Sequence, residues 1–335
     1  MSEPRDPRAE RGGARDPLGA PRSAPRLRLV RHPRAAELTA QRARLLAALR
    51  AHLDARGFLE ADVPALLPHA GQEAHLHPPS VQLHGLPGAL WLQTSPELCL
   101  KRLVCAGAPR VYALGAAFRG GREELSRLHQ PQFCMLEWYR PGARVQDLVD
   151  DVRALCAVAA AALGVDAPDP GRALTVAQAF AECAGVPLEP LLAGEDAPHA
   201  FARAVVEHLE PALAREPGWV FVHDFPAFGA ALARLSPQDP AVALRVEGYL
   251  RGLEIANGYV ELADAGEHRR RWAAERLARE AGSPAAPEDE GFLADLRAPG
   301  LPECVGMALG VDRLMLALLG GESLAEVLPF RLELA

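Results

Sequence analysis

The chain has 335 residues, of which 49% are hydrophobic and 24% charged, and its formal net charge is −7. This composition is typical of a soluble globular protein, and the negative charge does not favour a nucleic-acid partner. The six cysteines are scattered without a Cys-x-x-Cys pair, which indicates neither a zinc site nor a disulfide framework, so we expect a cytoplasmic protein.

The first 34 residues are rich in arginine and proline. They contain nine arginines and no long apolar run, so they predict a disordered, mildly basic tail that is neither a secretion signal nor a membrane anchor. The longest apolar run lies between Arg153 and Asp166 and is too short to span a bilayer. We therefore expect one folded domain over residues 35–335 and no membrane partner.

Apolar residues at helical spacing predict a first helix from Leu38 to Arg56, and Gly57 is typical of a helix end. An extended segment follows, FLEADVPAL, in which Pro64 marks the end of a strand.

A connection rich in histidine and proline comes next. Its four histidines are His69, His75, His77 and His84. No carboxylates or cysteines accompany them at ligand spacing, so we predict a loop without metal. Residues 89–107 then predict a short strand followed by a helix that Ser95 caps.

Two extended runs, RVYALGAAF and QFCMLEWY, predict a hairpin around a long loop rich in glycine and arginine. Helical patterns follow over residues 144–215, with breaks at DAPDPGR and GEDAPH. Further strands are predicted at WVFVHDFPAF, at LRVEGYLRGLEIANGYVEL and at the start of PECVGMALGVDRLMLALLGG, which ends in a helix. Strands and helices mix without regular β-α-β alternation, so we predict an α+β fold with a largely antiparallel sheet flanked by helices.

In two strands, one face combines carboxylates with polar or aromatic groups. By alternation these sets are Phe133, Met135, Glu137 and Tyr139 in QFCMLEWY, and Ile255, Asn257, Tyr259 and Glu261 in EIANGYVE. Burying carboxylates is costly unless a cation is present, so these faces predict a pocket for an amine. The alternative is an exposed face with ordinary polar residues. Ile255 and Asn257 are the only isoleucine and asparagine of the chain, which weakly marks this segment as needed.

Arg119 ends the first strand of the hairpin, and Arg313 begins the last helix. Arginine presents donors suited to phosphate oxygens, so the two could clamp a nucleotide triphosphate, although either could be an ordinary surface charge. Glu247 and Glu254 are seven residues apart and would share one site only if the chain turned back at Arg251 and Gly252. Brought together, they could hold magnesium.

These segments, in this order, resemble the catalytic domain of class II aminoacyl-tRNA synthetases of the lysyl type, over residues 38–330. RGFLEADVPAL is similar to motif 1, which forms the dimer, FRGGREELSRLHQPQFCMLEWY to motif 2, and GMALGVDRLML to motif 3. QTSPELCLKRL and EIANGYVEL resemble two further stretches of the lysyl type. The resemblance implies a homodimer formed through the first helix.

Two departures point within this resemblance to the truncated paralogues that attach (R)-β-lysine to translation elongation factor P. No segment has the pattern of the anticodon-binding barrel that precedes motif 1 in lysyl-tRNA synthetases. Motif 3 has Ala308 between Gly306 and Gly310, where the synthetases have a third glycine. A methyl group there would disfavour an α-amino acid. The expected acceptor is therefore elongation factor P rather than tRNA.

The resemblance implies ATP-dependent activation of (R)-β-lysine or lysine as an adenylate, with Mg²⁺ as cofactor, and transfer to a lysine side chain of elongation factor P. Arg119 and Arg313 would be catalytic. The implied ATP contacts are Arg119, Glu123, His129, Phe133, Glu254, Gly310 and Arg313, and the implied magnesium ligands are Glu247 and Glu254. The implied amino-acid contacts are Glu97, Glu137, Tyr139, Asn257, Glu261 and Ala308.

The motif 2 loop departs from the family, since it is two residues longer and has Gln130 and Gln132 where Asn and Glu are usual. Glu123 and Glu124 are therefore both candidates for the motif 2 glutamate. Two other functions stay open: a synthetase-like enzyme acting on tRNA, and an inactive regulatory paralogue.

Overall fold

The structure, a computed structural model, describes residues 26–194, 196–279 and 286–334. Within these residues the strands are β1 (Leu27–Arg31), β2 (Leu59–Glu60), β3 (Leu66–Leu67), β4 (Ser80–Val81), β5 (Leu90–Leu92), β6 (Val111–Phe118), β7 (Gln132–Pro141), β8 (Asp169–Thr175), β9 (Gly218–Pro226), β10 (Val242–Leu250), β11 (Leu253–Val260), β12 (Cys304–Gly310) and β13 (Phe330–Leu334). The α-helices are α1 (Ala35–Ala55), α2 (Glu97–Cys105), α3 (Val145–Leu163), α4 (Val176–Gln178), α5 (Glu189–Leu192), α6 (Ala197–Ala204), α7 (Glu210–Leu213), α8 (Ala265–Ala278), α9 (Glu290–Arg297) and α10 (Val311–Leu319). In this part of the chain no helix is long and apolar enough to cross a membrane.

Eight strands form one sheet in the order β2-β6-β7-β12-β11-β10-β9-β8. The six strands from β6 to β9 pair antiparallel, while the outer pairs β2–β6 and β8–β9 are parallel. Helices cover this sheet, so the predicted α+β fold with a largely antiparallel sheet is confirmed.

One face of the sheet packs against α1, α3 and α10. Leu136 and Trp138 of β7 are buried in this core with Leu49 of α1, Leu155 of α3 and Leu314 of α10. Because side chains alternate along a strand, the intervening residues of β7 point to the opposite face. The predicted division of QFCMLEWY into two faces is thus confirmed.

A second layer stands over part of the opposite face. Leu100 of α2, Trp272 of α8 and Phe292 of α9 form a smaller apolar cluster that also contains Val111 and Tyr139 of the sheet. This layer, together with the loops joining β3 to β5, leaves space above the middle strands.

The turn between β10 and β11 places Glu247 and Glu254 on neighbouring strands. Arg251 and Gly252 both have positive φ, 54° and 75°, as a tight two-residue hairpin turn requires. A Cβ on residue 252 would lie 2.7 Å from the backbone oxygen of Glu210, so only glycine fits. The turn predicted for this pair of residues is confirmed.

Three elements differ from the prediction. Residues 27–31 of the predicted tail form β1, which pairs with β13, so the predicted boundary at residue 34 is wrong for them, whereas residues 1–25 lie outside the described residues. DAPDPGR was interpreted as a break, yet β8 begins at Asp169, because a bulge on an edge strand accommodates Pro170 and Gly171. Helix α2 has Pro96 rather than Ser95 at its N-cap, although the Ser95 hydroxyl accepts the Glu97 N–H at 3.3 Å.

Candidate active site

A cavity of about 430 Å³ lies between the second layer and the sheet. It brings together twelve of the fourteen predicted site residues. The twelve are Glu97, Arg119, His129, Phe133, Glu137, Tyr139, Glu254, Asn257, Glu261, Ala308, Gly310 and Arg313. The cavity is therefore the candidate active site.

Strand register explains why residues far apart in sequence meet here. One row across β7, β12, β11 and β10 consists of Glu137, Ala308, Asn257 and Glu247. The next row consists of Tyr139, Gly306, Tyr259 and Arg245. Directly paired residues of antiparallel strands share a face, so both rows lie on the sheet face that carries the cavity, and all of them except Glu247 line it.

Lys101, the only lysine of the chain, lies behind the carboxylates that line one end of the cavity. Its side chain is 0% exposed, and its Nζ lies 2.5 Å from both Glu97 Oε1 and Glu261 Oε2. Burial alone would lower the pKa of this ammonium group, but the Glu261 and Glu97 carboxylates outweigh burial and raise it. Lys101 is therefore a fixed positive charge held between two carboxylates.

At the same end of the cavity, two carboxylate oxygens accept no hydrogen bond from the described residues. Tyr139 donates its hydroxyl to Glu137 Oε1 at 2.5 Å, whereas Glu137 Oε2 and Glu261 Oε1 are buried without a hydrogen-bond partner among the described residues. Burial, with the neighbouring Glu97 carboxylate, raises the pKa of Glu137 well above its ordinary value. Unpaired buried carboxylate oxygens are costly, and an ammonium group would satisfy them.

The floor of this end depends on glycine. A Cβ on residue 306 would collide with the ring of Tyr139 and with Glu261 Oε1, so a side chain there would displace both. Two residues on, Ala308 places its methyl group between Glu137 and Asn257 on the neighbouring strands. That methyl group narrows the cavity beside the carboxylates.

The other end of the cavity is cationic. The Arg119 guanidinium lies 5.1 Å from the centroid of the Phe133 ring, and its buried Nε has no hydrogen-bond partner in the described part of the chain. Arg313 Nη2 lies 2.6 Å from His129 Nε2. Burial and the charges of Arg313 and Arg119 lower the pKa of His129 to about 4, so its ring is neutral at pH 7. Two arginines beside a neutral histidine suit the oxygens of a polyphosphate.

Arg313 is held firmly at the start of α10. Its Nη1 donates to the backbone oxygen of Glu254 at 2.9 Å. Its neighbour Asp312 accepts the Cys134 N–H at 2.7 Å and forms an ion pair with Arg42 of α1. Asp312 thus joins α10, β7 and α1, and this support fixes the position of Arg313.

The two predicted magnesium ligands lie on the β10–β11 hairpin. Glu247 is buried, does not line the cavity, and contacts the Arg245 guanidinium and the Tyr249 hydroxyl. Burial raises the pKa of Glu247 to about 7; Arg245 opposes this rise and nearby Glu254 adds to it. Across the described residues no group of three or more His, Cys, Asp or Glu side chains is arranged to hold a metal ion.

Besides Glu247, one further predicted residue lies outside the cavity, and some lining residues were not predicted. The Glu123 carboxylate is exposed outside the cavity, 3.8 Å from His77 Nε2, whereas Glu124 is buried and lines the cavity, so Glu124 is the better candidate. Glu73 and Arg245 also line the cavity, and Lys101 lies behind the lining carboxylates of Glu97 and Glu261. The four-residue spacing of Glu97 and Lys101 on one helix could have indicated their ion pair, but no sequence signal indicates Glu73.

Comparison with known proteins shows the family to which this chain belongs. Residues 22–333 match the family model of class II tRNA synthetases (D, K and N). An elongation factor P–(R)-β-lysine ligase of Erwinia tasmaniensis is 36% identical over 325 residues, covering 88% of this chain and 94% of that protein. Ligases of the same name from Avibacterium paragallinarum and Klebsiella pneumoniae are also 36% identical, over 87% and 88% of this chain and 94% and 95% of theirs. The chain therefore belongs to the class II tRNA synthetase family (D, K and N).

Proposed function

We propose that this protein activates (R)-β-lysine with ATP and transfers the acyl group to the side-chain amine of a lysine on elongation factor P. The curated relatives that carry this name support the proposal, since they align along most of both chains. The observation that carries it is the polarity of the cavity: unpaired buried carboxylate oxygens at one end and two arginines at the other. Such a cavity suits a diamino acid lying beside a polyphosphate.

The class II family uses ATP, and the cationic end of the cavity would bind it. Arg119 would contact the α-phosphate, Arg313 the γ-phosphate and His129 the outer phosphates, while adenine would stack on Phe133. Glu124 takes the place first expected for Glu123, and Gly310 leaves room for the nucleotide beside Arg313. Positive charges fixed before substrate binds stabilise the transition state without reorganising.

Glu247 and Glu254 would hold Mg²⁺, with phosphate oxygens and water as the remaining ligands. Repulsion from the Glu254 carboxylate contributes to the raised pKa of Glu247. A divalent cation bound between the two carboxylates would remove this repulsion. When bound, the ion would neutralise charge on the leaving pyrophosphate.

At the acidic end, Glu137 and Glu261 would receive the distal ammonium group of the amino acid, and Asn257 would contact its backbone atoms. The substrate carboxylate then attacks the α-phosphorus, pyrophosphate leaves, and an adenylate forms. The lysine amine of the acceptor attacks the acyl carbon, an amide bond forms, and AMP leaves. Alignment and charge neutralisation supply the catalysis, since neither step needs a nucleophile from the protein.

The proposal is tested by mass spectrometry of elongation factor P after incubation with the enzyme, ATP and either (R)-β-lysine or lysine. We expect one aminoacyl increment on one lysine, greater with (R)-β-lysine, and none with Arg313→Ala. A parallel incubation replaces elongation factor P with tRNA. No increment with either amino acid refutes the proposal, and a charged tRNA with unmodified elongation factor P supports the synthetase-like alternative.

A homodimer is the second part of the proposal. The two-stranded sheet β1–β13 exposes Leu27, Leu29, Phe330 and Leu334. In the sequence, β1 comes before the catalytic core and β13 comes after it. Exposed apolar clusters of this kind mark interaction surfaces, and a second copy docking along α1 and this sheet would cover it. Light scattering should give twice the mass of the chain, and Leu29→Glu should reduce that mass to one chain.

A further inference from the structure

One carboxylate of the cavity has no place in the function proposed so far. Glu73 belongs to the histidine-rich connection between β3 and β4, and it enters the cavity from the side opposite the sheet together with His75 and Leu76. The rest of the acidic end is built from strands and from α2. Glu73 is the contribution of a loop.

This loop is held in place by its backbone. Arg279, just beyond α8, donates to the backbone oxygens of Glu73 and Leu76, both at 2.9 Å. The Ala74 N–H donates to Glu275 Oε2 at 2.7 Å. These bonds fix the backbone at Glu73, so its side chain is directed by the structure before any substrate binds.

The Glu73 carboxylate is buried and incompletely paired. Its Oε2 is buried without a hydrogen-bond partner in the described ranges. A Cβ on residue 71 would lie 2.5 Å from this oxygen and 2.9 Å from the Thr94 hydroxyl, so a side chain at residue 71 would displace the carboxylate from this position. Burial, and then the nearby Glu97 carboxylate, raises the pKa of Glu73, while Arg119 opposes the rise. An unpaired buried carboxylate oxygen is costly, and an ammonium group would satisfy it.

The neighbours of Glu73 define which cation it meets. Lys101 lies beside Glu261 at the far end, where Glu137 and Glu261 have free oxygens for the distal amine. Glu73 instead lies within electrostatic reach of Glu97 and Arg119. Under the proposed function Arg119 faces the α-phosphate, which is where the substrate carboxyl is activated. The amine closest to Glu73 is therefore the one next to the reacting carboxyl.

We propose that Glu73 binds the ammonium group adjacent to the activated carboxyl and so selects diamino acids over monoamino acids. The inference rests on the proposed function and deepens it. It assigns the two ends of the substrate to different carboxylates: Glu137 and Glu261 bind the distal amine, and Glu73 the proximal one. The Ala308 methyl, on the sheet side, narrows the cavity from the opposite wall.

The test combines a change in the enzyme with a change in the substrate. Glu73→Gln keeps the shape of the side chain and removes its charge, and 6-aminohexanoate is lysine without the proximal amine. Amino-acid-dependent ATP–pyrophosphate exchange is measured for (R)-β-lysine, lysine and 6-aminohexanoate. Glu207→Gln, at an exposed glutamate of the helical region, is the matched control.

We expect Glu73→Gln to raise the KM for both diamino acids by about 10- to 100-fold, the range for losing a hydrogen bond to a charged group. It should leave the weak activation of 6-aminohexanoate unchanged, because that substrate has no proximal amine to lose. Glu207→Gln should change neither the KM for the diamino acids nor the activation of 6-aminohexanoate. An equal rise for all three substrates, or no rise for any, overturns the inference, since a role in cavity shape would not depend on the amine.

Calorimetric binding of the same amino acids keeps this test independent of turnover. If the wild type shows no exchange but binds the diamino acids, the proposed function fails, and the inference is judged from the loss of affinity in Glu73→Gln alone. If the wild type binds none of them, both are overturned. Thermal melting shows that the variant is folded.

Discussion

Replacing Lys101 with methionine removes the ammonium group from between Glu97 and Glu261 and keeps most of the carbon chain. The Lys101 and Glu261 side chains are both 0% exposed, so water does not screen the loss. Removing one partner of a buried ion pair costs about 3–5 kcal/mol, and we expect the free energy of unfolding to fall by this amount at about pH 9. Lys101→Arg should also destabilise, because a guanidinium group is larger than the ammonium group that the two carboxylates enclose.

The pH dependence separates charge from packing. Burial already raises the pKa of Glu261 to about 7 in the presence of Lys101, and without that cation it rises further. A carboxyl whose pKa is raised by folding binds more protons in the folded state, so stability falls as pH increases. The difference between wild type and Lys101→Met should therefore grow by up to about 1.4 kcal/mol per pH unit between about pH 7 and 9.

Urea unfolding followed by circular dichroism measures this difference at several pH values. A loss of stability that is the same at every pH would mean that Lys101 contributes packing alone. No loss at all would refute the buried ion pair. The KM for (R)-β-lysine should rise in the variant, because Glu97 and Glu261 lose the group that orients them.

Three further predictions concern the same cavity. Ala308→Gly should increase the ratio of kcat/KM for lysine to that for (R)-β-lysine by about 10-fold or more, since small steric differences shift discrimination by about 1–3 kcal/mol; an unchanged ratio contradicts a steric role. Asn257→Ala should reduce adenylate formation in exchange assays more than it lowers the melting temperature. Asn257 lines the cavity, so its loss removes a substrate contact, whereas its only side-chain hydrogen bonds among the described residues are with Arg245 Nε at 3.3 Å and Glu254 Oε1 at 3.4 Å. Binding of a diamino acid should release protons near pH 7, because Glu261 must lose its proton to hold an ammonium group, and calorimetry in two buffers of different ionisation enthalpy would show it; identical heats in both buffers oppose this linkage.

Alternation along strands made much of the site predictable. Glu137 and Tyr139 could be assigned to one face because the residues that alternate with them, Leu136 and Trp138, are apolar and belong to the core that contains α1 and α3. The turn at Arg251 and Gly252 was predictable for a similar reason, since Glu247 and Glu254 could share a site only through it. Local patterns of this kind need no knowledge of distant contacts.

The parts that could not be predicted depend on such contacts. Nothing near Glu73 indicates that Arg279 fixes its loop, and nothing in the motif 2 loop decides between Glu123 and Glu124. Both choices are made by packing between segments far apart in the chain. β1 was not predicted for the same reason, since its pairing partner β13 is about 300 residues away along the chain.

The burial of Lys101 has a practical consequence for chemistry outside the cavity. The chain has one lysine, and it is enclosed between two carboxylates, so apart from its α-amino group the protein presents no amine to the solvent. An activated acyl group that escaped from such an enzyme would find no side-chain amine on the enzyme itself with which to form an amide. Amine-reactive cross-linkers and esters should likewise leave it almost untouched in a mixture. An amide-linked acyl label on a lysine side chain, detected in a mixture that contains this protein, can thus be attributed to another protein.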